Sequence, residues 1–232
     1  MINWFNFNGE KSTDYGLVIE KMPNIFDAPS DDVEKISIPG RNGDLLISND
    51  RFENIPLTYS CGMKQNSERI RGIKGWLCTQ GYKKLYDSYN PDYFRYATFI
   101  NGFTAESDRF FSHFDISFDC KPFLYRFDGE NEIKIENGMT IYNPERFESR
   151  PLIKIVRSVT TPSKITIGQN SFYVKGSGIL MIDTETQDCY YEDTNRNNDI
   201  STADISINSG SSKISWTGSI DEMIIIPRWR TL

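Results

Sequence analysis

Residues 33–77 read VEKISIPGRNGDLLISNDRFENIPLTYSCGMKQNSERIRGIKGWL, and this stretch decides the fold class. A strand-like run over residues 34–38 leads into the turn Pro39–Gly43, after which a second strand follows. From Glu68 to Thr79 the apolar residues recur at spacings of three and four, which predicts an amphipathic helix with Ser67 as its N-cap. This is the best helix signal in the chain. A single helix among strands favours a β-rich binding or assembly module over most enzyme folds.

The rest of the first half alternates apolar and polar residues. The clearest run spans residues 113–120, where every second residue from Phe114 to Cys120 is apolar. A similar alternation spans residues 55–61 and ends at Cys61. Because side chains of a strand point to opposite faces in turn, both runs predict strands with one buried face. Cys61 and Cys120 are accordingly predicted to be small core residues.

A domain boundary is predicted between residues 128 and 129, where an aromatic-rich half gives way to short β segments. Residues 133–141 place Asn137-Gly138 between two apolar runs, which predicts a β-hairpin with a type I′ turn. Short strands at regular spacing follow as far as residue 226 and are typical of a β-sandwich or jelly roll. The chain is therefore predicted to be mainly β, with domains at 1–128 and 129–232.

The charge of the chain argues against some kinds of partner. Its 26 Lys and Arg residues against 32 Asp and Glu residues give a formal net charge of −6. This opposes a general grip on nucleic acid or on an anionic membrane, since both need clustered cations. No apolar run approaches the roughly 18 residues of a membrane span, so we expect no membrane insertion. We expect the protein to be made in a reducing cytosol.

Residues that could carry catalysis or bind a cofactor are few. His113 is the only histidine, and it falls on the polar side of the strand that ends at Cys120. A hydrolytic triad or a His-based metal site would need it beside other functional side chains. The four cysteines lack metal-ligand spacing, and the chain has no glycine motif for a nucleotide. We therefore expect a surface or interface histidine, no enzyme activity and no cofactor.

One polar segment has the spacing of a calcium loop. Asn198 stands at the sixth position, where Gly is usual, and Asp204 stands at the twelfth, where a bidentate Glu is usual. The flanking residues also read as strands rather than helices. Two interpretations are open, a solvated polar hairpin loop or a weak Ca²⁺ site whose ligands would be Asp193, Asn195, Asn197, Asp199, Ser201 and Asp204.

Aromatic residues of the second half offer another candidate binding surface. Tyr190, Tyr191 and Trp216, together with Trp229, could line a face on which sugar rings stack. Aromatic residues in a sandwich of this size also serve as core or interface residues, and that alternative stays open.

Several short motifs, taken in order along the chain, resemble the distal tail protein (Dit) family of siphophages, which are bacteriophages with long, non-contractile tails. Each motif is short, but their order and spacing cover nearly the whole chain. The motifs are Phe5-Asn6-Phe7-Asn8-Gly9, Asp14-Tyr15-Gly16-Leu17, Pro39–Gly43, Ile70–Leu77, Tyr86-Asp87, Tyr93–Ala97, Phe118–Phe123 and Ile224–Arg230.

The resemblance implies a structural protein of the virion tail, assembled in the cytoplasm of the bacterial host. It implies an N-terminal β-sandwich with one α-helix that forms a hexameric hub ring, and a C-terminal galectin-like jelly-roll β-sandwich. Such a ring joins the tail tube to the tail-associated or baseplate hub protein, with tape-measure and receptor-binding proteins as further partners. DNA passes through its lumen without specific binding.

Arg41 is a candidate subunit contact within the ring-forming domain that the resemblance implies. It follows Gly40 and precedes Gly43, two residues whose backbone freedom the turn needs. The alternative is that Arg41 is a solvated turn residue. For the whole chain, the second function to consider is a carbohydrate-binding module, formed by residues 129–232, that attaches the particle to sugars of the host cell wall.

Overall fold

The computed structural model describes residues 2–24, 27–100 and 102–232. They form two compact units, the first reaching Leu124 and including Leu232, the second spanning Tyr125–Thr231. The boundary predicted from the sequence lies a few residues later, between 128 and 129. Within the described residues the chain is mainly β with one α-helix, so the predicted fold class is confirmed.

The first unit is built from ten strands, a short 3₁₀ helix at Ser12–Tyr15 and the helix α1 (Ser67–Leu77). Its strands are β1 (Phe5–Phe7), β2 (Glu10–Lys11), β3 (Val18–Lys21), β4 (Asp31–Ile36), β5 (Leu45–Phe52), β6 (Ile55–Lys64), β7 (Lys83–Asp87), β8 (Tyr93–Thr98), β9 (Ala105–Ser107) and β10 (Phe111–Arg126). The main sheet runs in the order β2-β1-β7-β8-β10-β6-β3, and β9 adds to β10. Strands β4 and β5 form a separate two-stranded sheet.

Helix α1 packs on the main sheet through Trp76. The indole N–H of Trp76 donates to the backbone oxygen of Phe7 at 2.9 Å, and its ring stacks on Phe5 and Tyr15 at centroid distances of 5.5 and 4.6 Å. The predicted N-cap was wrong by one residue, because the Asn66 side chain accepts from the N–H groups of Glu68 and Arg69, and Ser67 is the first residue inside the helix. Asn caps a helix start at least as well as Ser.

Strands β4 and β5 and the turn between them form a hairpin arm, Asp31–Phe52, that joins neither core of the described chain. The turn is where the sequence places it. Gly40 and Gly43 adopt φ angles of +81° and +84°, which only glycine adopts without strain. The arm is therefore an extension of the first unit rather than a layer of its sandwich.

The second unit is a β-sandwich with short 3₁₀ helices at Phe127–Glu130 and Asn197–Asp199. Its strands are β11 (Ile133–Lys134), β12 (Thr140–Asn143), β13 (Leu152–Arg157), β14 (Ser163–Ile167), β15 (Asn170–Val174), β16 (Gly178–Asp183), β17 (Asp188–Tyr191), β18 (Thr194–Asn195), β19 (Gly210–Thr217), β20 (Glu222–Ile226) and β21 (Arg230–Thr231). A six-stranded sheet has the order β11-β20-β13-β16-β17-β18, and a four-stranded sheet has the order β12-β19-β14-β15. Ile153 of the first sheet and Ile165 of the second share one core and are fully buried.

The hairpin predicted at residues 133–141 was wrong. Strand β11 pairs with β20 and strand β12 pairs with β19, so the two runs belong to different sheets. Of the two central residues only Gly138 has a positive φ, whereas a type I′ turn needs two. The Asn137 side chain instead bonds the backbone N–H and oxygen of Trp216, both at 2.9 Å, and so holds the chain as it crosses between sheets.

The two sheets of this sandwich differ on their outer faces. The outer face of the six-stranded sheet carries a half-buried apolar patch, with charged residues such as Lys154, Asp183 and Glu222 also on this face. The patch consists of Leu152, Val156, Ile179, Met181, Ile224 and Ile226. The outer residues of the four-stranded sheet carry hydroxyl or ammonium groups. An apolar patch of this kind is typical of a surface that other protein covers, whereas the outer face of the four-stranded sheet is suited to water or to a polar ligand.

Candidate functional site

The hairpin arm has the strongest features of a contact site in the first unit. Leu45, Leu46 and Ile47 are 40%, 60% and 43% exposed. Because side chains alternate along a strand, these consecutive residues make the arm apolar on both faces. A two-stranded ribbon in water is at best marginally stable, so an arm of this kind needs a surface to cover it.

Polar contacts fix the register of the arm. Arg51 of β5 pairs with Asp32 of β4, and the Asn49 amide donates to the same carboxylate at 3.1 Å. The hydrogen bond from Arg51 is the main cause that lowers the pKa of Asp32 from its usual value. The arm therefore presents one defined arrangement of its apolar residues.

Arg41 lies in the turn of the arm and is exposed, as predicted for either of its interpretations. Its backbone N–H donates to the Ile38 oxygen at 3.1 Å, which closes the turn. Its side chain forms no ion pair with a residue that the structure describes. The guanidinium is thus presented outward, and a contact with a neighbouring subunit stays a prediction.

His113 lines a polar cleft of about 520 Å³ on the main sheet of the first unit. Its Nδ1 atom lies 3.0 and 3.1 Å from the two carboxylate oxygens of Glu20. This hydrogen bond is the main cause that raises the pKa of His113 above its usual value. Ser60, which also lines the cleft, donates to Asp115 at 2.7 Å. The histidine is therefore engaged by a carboxylate at the surface and is not hydrogen-bonded to a described Ser or Cys nucleophile.

Cys61 and Cys120 are fully buried in the first core, as the alternation predicts. Burial raises the pKa of both thiols to about 12, so they are neutral and unsuited to nucleophilic attack near pH 7. Across residues 2–24, 27–100 and 102–232, no group of three or more His, Cys, Asp or Glu side chains is placed to hold a metal ion.

The proposed calcium ligands of the second unit point to separate protein partners. Asp199 pairs with Arg196 and Asp204 pairs with Arg150. The Ser201 hydroxyl accepts from the Tyr173 N–H at 2.9 Å. The remaining amide oxygens are acceptors within the loop, Asn195 Oδ1 from the Asn197 N–H and Asn197 Oδ1 from the Cys189 N–H. Arginine takes the place that a cation would need beside two of the three carboxylates.

We predict that millimolar Ca²⁺ leaves the melting temperature of the protein unchanged. Binding would have to displace two arginine–carboxylate pairs before the oxygens could converge on an ion. Calorimetry with Ca²⁺, and with Mg²⁺ as the control, checks this. Heat and a raised melting temperature with Ca²⁺ alone would restore the calcium interpretation.

The predicted aromatic surface is not assembled as one face. Tyr190 lies on the outer side of the six-stranded sheet, opposite to the buried Cys189, whereas Tyr191 alternates to the other side. Trp216 lies in the four-stranded sheet and packs against the core of the second unit. Trp229 lies outside this sheet and is part of the same core, with 6% of its surface exposed. The structure therefore does not bring Tyr190 and Trp216 together to stack on one sugar.

Sequence reasoning missed the apolar residues of the hairpin arm as a site. The signal was Leu45-Leu46-Ile47, where three consecutive apolar residues break the alternation expected of a strand with one buried face. The exposed Tyr142 and Tyr173 of the second unit were also missed, because single tyrosines at alternating positions look like ordinary strand residues.

Comparison with solved structures finds a protein of similar fold along nearly the whole chain. The chain is similar to the crystal structure of the SPP1 Dit (gp 19.1) protein, described as a paradigm of the hub adsorption apparatus in phages that infect Gram-positive bacteria. The TM-score is 0.73, the identity is 15%, and 97% of each chain is covered. No family model and no curated protein matches the chain. The likeness shows a shared fold and so confirms the resemblance to Dit at that level.

No helix within the described residues is long and apolar enough to cross a bilayer.

Proposed function

We propose that the chain is a structural component of a phage tail tip, where six copies form a hub ring that joins the tail tube to the tail-associated or baseplate proteins. The observation that carries this proposal is the likeness in fold to SPP1 Dit along 97% of both chains. On this proposal the protein is not an enzyme and uses no cofactor. It belongs to the virion tail after assembly in the cytoplasm of the bacterial host.

A closed ring needs two different complementary surfaces on each subunit, because its contacts run head to tail. The hairpin arm supplies one such surface. It extends from the unit, is held in register by Asp32, and is apolar on both faces. We assign it to the contact with a neighbouring subunit, with Arg41 at its turn as a polar contact.

The partners of the ring follow from the same proposal. The tail-tube protein and the tail-associated or baseplate hub protein would bind its two ends, with tape-measure and receptor-binding proteins as further partners. The formal charge of −6 suits a lumen through which DNA slides, since like charges keep the duplex from adhering. The apolar patch on the outer face of the six-stranded sheet is a further surface suited to assembly.

Replacing Leu46 by aspartate is predicted to abolish ring formation. In the ring the side chain would be buried against a neighbour, and burying a leucine contributes about 1.5–3 kcal/mol. A buried unpaired carboxylate costs more still, so we expect subunit association at least roughly 100-fold weaker. Multi-angle light scattering and negative-stain images of the pure protein, alone and with the tail-tube protein, measure the oligomer.

Val159→Asp is the matched control, since Val159 is 37% exposed in the second unit and lies outside the arm. It should leave the ring intact. The melting temperature of Leu46→Asp should match that of the wild type, because Leu46 belongs to neither core. A wild-type protein that stays monomeric even with the tail-tube protein would refute the hub ring. A six-fold ring formed by Leu46→Asp would refute the role of the arm.

A further inference from the structure

The outer face of the four-stranded sheet in the second unit has an unusual chemistry. Strands β12, β19, β14 and β15 all lie in the described part of the chain, and each of their outward side chains is Ser, Thr, Tyr or Lys. None of these outward residues is a carboxylate, although the chain as a whole is acidic. We name this surface the hydroxyl face, and its main residues are Tyr142, Lys164, Thr166, Tyr173, Ser211 and Lys213.

The register of the sheet places two exposed tyrosines at opposite corners of the hydroxyl face. Tyr142 of the edge strand β12 lies beside Ser211 and is 66% exposed. Tyr173 of the other edge strand, β15, lies beside Lys164 and is 52% exposed. From the dimensions of a β-sheet the two rings are about 25 Å apart along the diagonal. An extended polymer could therefore contact both rings and the hydroxyl groups between them.

The face is cationic as well as polar. Lys164 and Lys213 form no ion pair with any residue that the structure describes. Two of the three carboxylates of the loop beside the β15 edge are neutralised, because Asp199 pairs with Arg196 and Asp204 pairs with Arg150. In a chain of net charge −6, this is a surface that attracts rather than repels an anion.

We propose that the hydroxyl face binds an anionic glycan, a polymer of sugar rings that carries phosphate or carboxylate groups. Tyrosine rings stack on the apolar faces of sugars, hydroxyl groups exchange hydrogen bonds with sugar hydroxyls, and the two lysines hold the charge. A protein partner fits this face poorly, because its centre lacks the apolar residues of an interface core. The site shares no residue with the aromatic set predicted from the sequence, and it does not depend on formation of a ring.

Binding of four polymers of equal length to the full chain tests the proposal. Carboxymethyl dextran and a poly(glucosylglycerol phosphate) are anionic glycans with different charged groups, dextran is a neutral glycan, and polyglutamate is an anion without sugar. We expect both anionic glycans to bind at least roughly tenfold more tightly than dextran or polyglutamate. Binding should weaken in 0.5 M NaCl, because the Debye length falls from about 10 Å at 0.1 M to about 3 Å at 1 M salt.

Variants of the face separate stacking from charge. Tyr142→Ser and Tyr173→Ser should each weaken binding of both anionic glycans roughly fivefold or more. Lys164→Gln and Lys213→Gln should each weaken it and reduce its dependence on salt. Tyr82→Ser and Lys134→Gln make the same changes at exposed residues that are not part of the face and should have no effect.

Three results would overturn the proposal. The first is that neither anionic glycan binds. The second is that polyglutamate or a DNA oligonucleotide binds as tightly as the anionic glycans, which would indicate charge alone or nucleic acid. The third is that the four variants of the face bind like the two controls.

Discussion

Arg157→Met is expected to destabilise the second unit by about 3–5 kcal/mol, because it leaves several buried carbonyl groups without a donor. This is a large part of the roughly 5–15 kcal/mol that keeps a domain folded. Arg157 ends strand β13, and its side chain points to the buried face and is 2% exposed. Methionine has a similar length and keeps the packing, so the loss of unfolding free energy measures mainly the lost hydrogen bonds.

The guanidinium of Arg157 bonds acceptors from the ends of strands β14 and β15 and from loops of the sandwich. None of these acceptors is a carboxylate. Burial lowers the pKa of the guanidinium from its usual value, and the charge of Asp221 opposes this shift. Nη1 donates to the oxygens of Val174 and Gly176 at 2.7 and 2.9 Å, Nε to the oxygen of Ser219 at 3.2 Å, and Nη2 to the Ser163 hydroxyl at 3.0 Å and to the Thr161 oxygen.

Two further variants separate charge from geometry. Arg157→Lys keeps the charge but has no planar fork, so we expect a loss of about 2–3 kcal/mol. Arg146→Met makes the same change at an exposed arginine of the same unit and should cost at most about 0.5 kcal/mol. Urea unfolding and calorimetry measure all three. If Arg157→Met unfolds together with Arg146→Met, the buried hydrogen bonds contribute little to stability.

Alternation made much of the fold predictable, because a sheet with one buried face imposes a period of two on its sequence. The runs at 55–61 and 114–120 are parts of β6 and β10, and their cysteines are buried. Arg157 follows the same rule, since Ile153, Ile155 and Arg157 all face inward. Its role was not predictable, because its acceptors lie in separate strand ends and loops that only the fold brings together.

The predictions that failed depended on choices between local and distant partners. Asn137-Gly138 has the composition of a hairpin turn, but the Asn137 side chain bonds the distant Trp216 backbone and the chain changes sheets. The turn Pro39–Gly43 was predictable because the positive φ angles of Gly40 and Gly43 are a property of the local backbone and need no distant partner. The run Leu45-Leu46-Ile47 shows that the strand lacks a single buried face, but the same run is also typical of a strand buried on both faces, so the exposure of the hairpin arm was not predictable from it.

Gly129→Ala is expected to destabilise the second unit by about 2–4 kcal/mol, although glycine and alanine differ by one methyl group. A Cβ atom at Gly129 would lie 2.5 Å from the backbone nitrogen and 3.3 Å from the Cα atom of Trp229. The Gly129 oxygen accepts from the Arg228 N–H at 2.7 Å, and the Trp229 oxygen accepts from the Arg126 N–H at 2.9 Å. The methyl group would push these two segments apart and move Trp229, which is 6% exposed, out of the core.

Gly75→Ala is the matched control and should have the opposite sign. Gly75 lies in α1 with open space around its Cα atom, so alanine should stabilise the first unit by about 0.5–1 kcal/mol through helix propensity. Thermal unfolding of both variants compares the same added methyl group in two environments. The sequence places Gly129 at the predicted domain boundary and gives no sign of close packing there, whereas the structure buries it against Trp229. A wild-type melting temperature for Gly129→Ala would contradict the packing of Gly129 against Trp229.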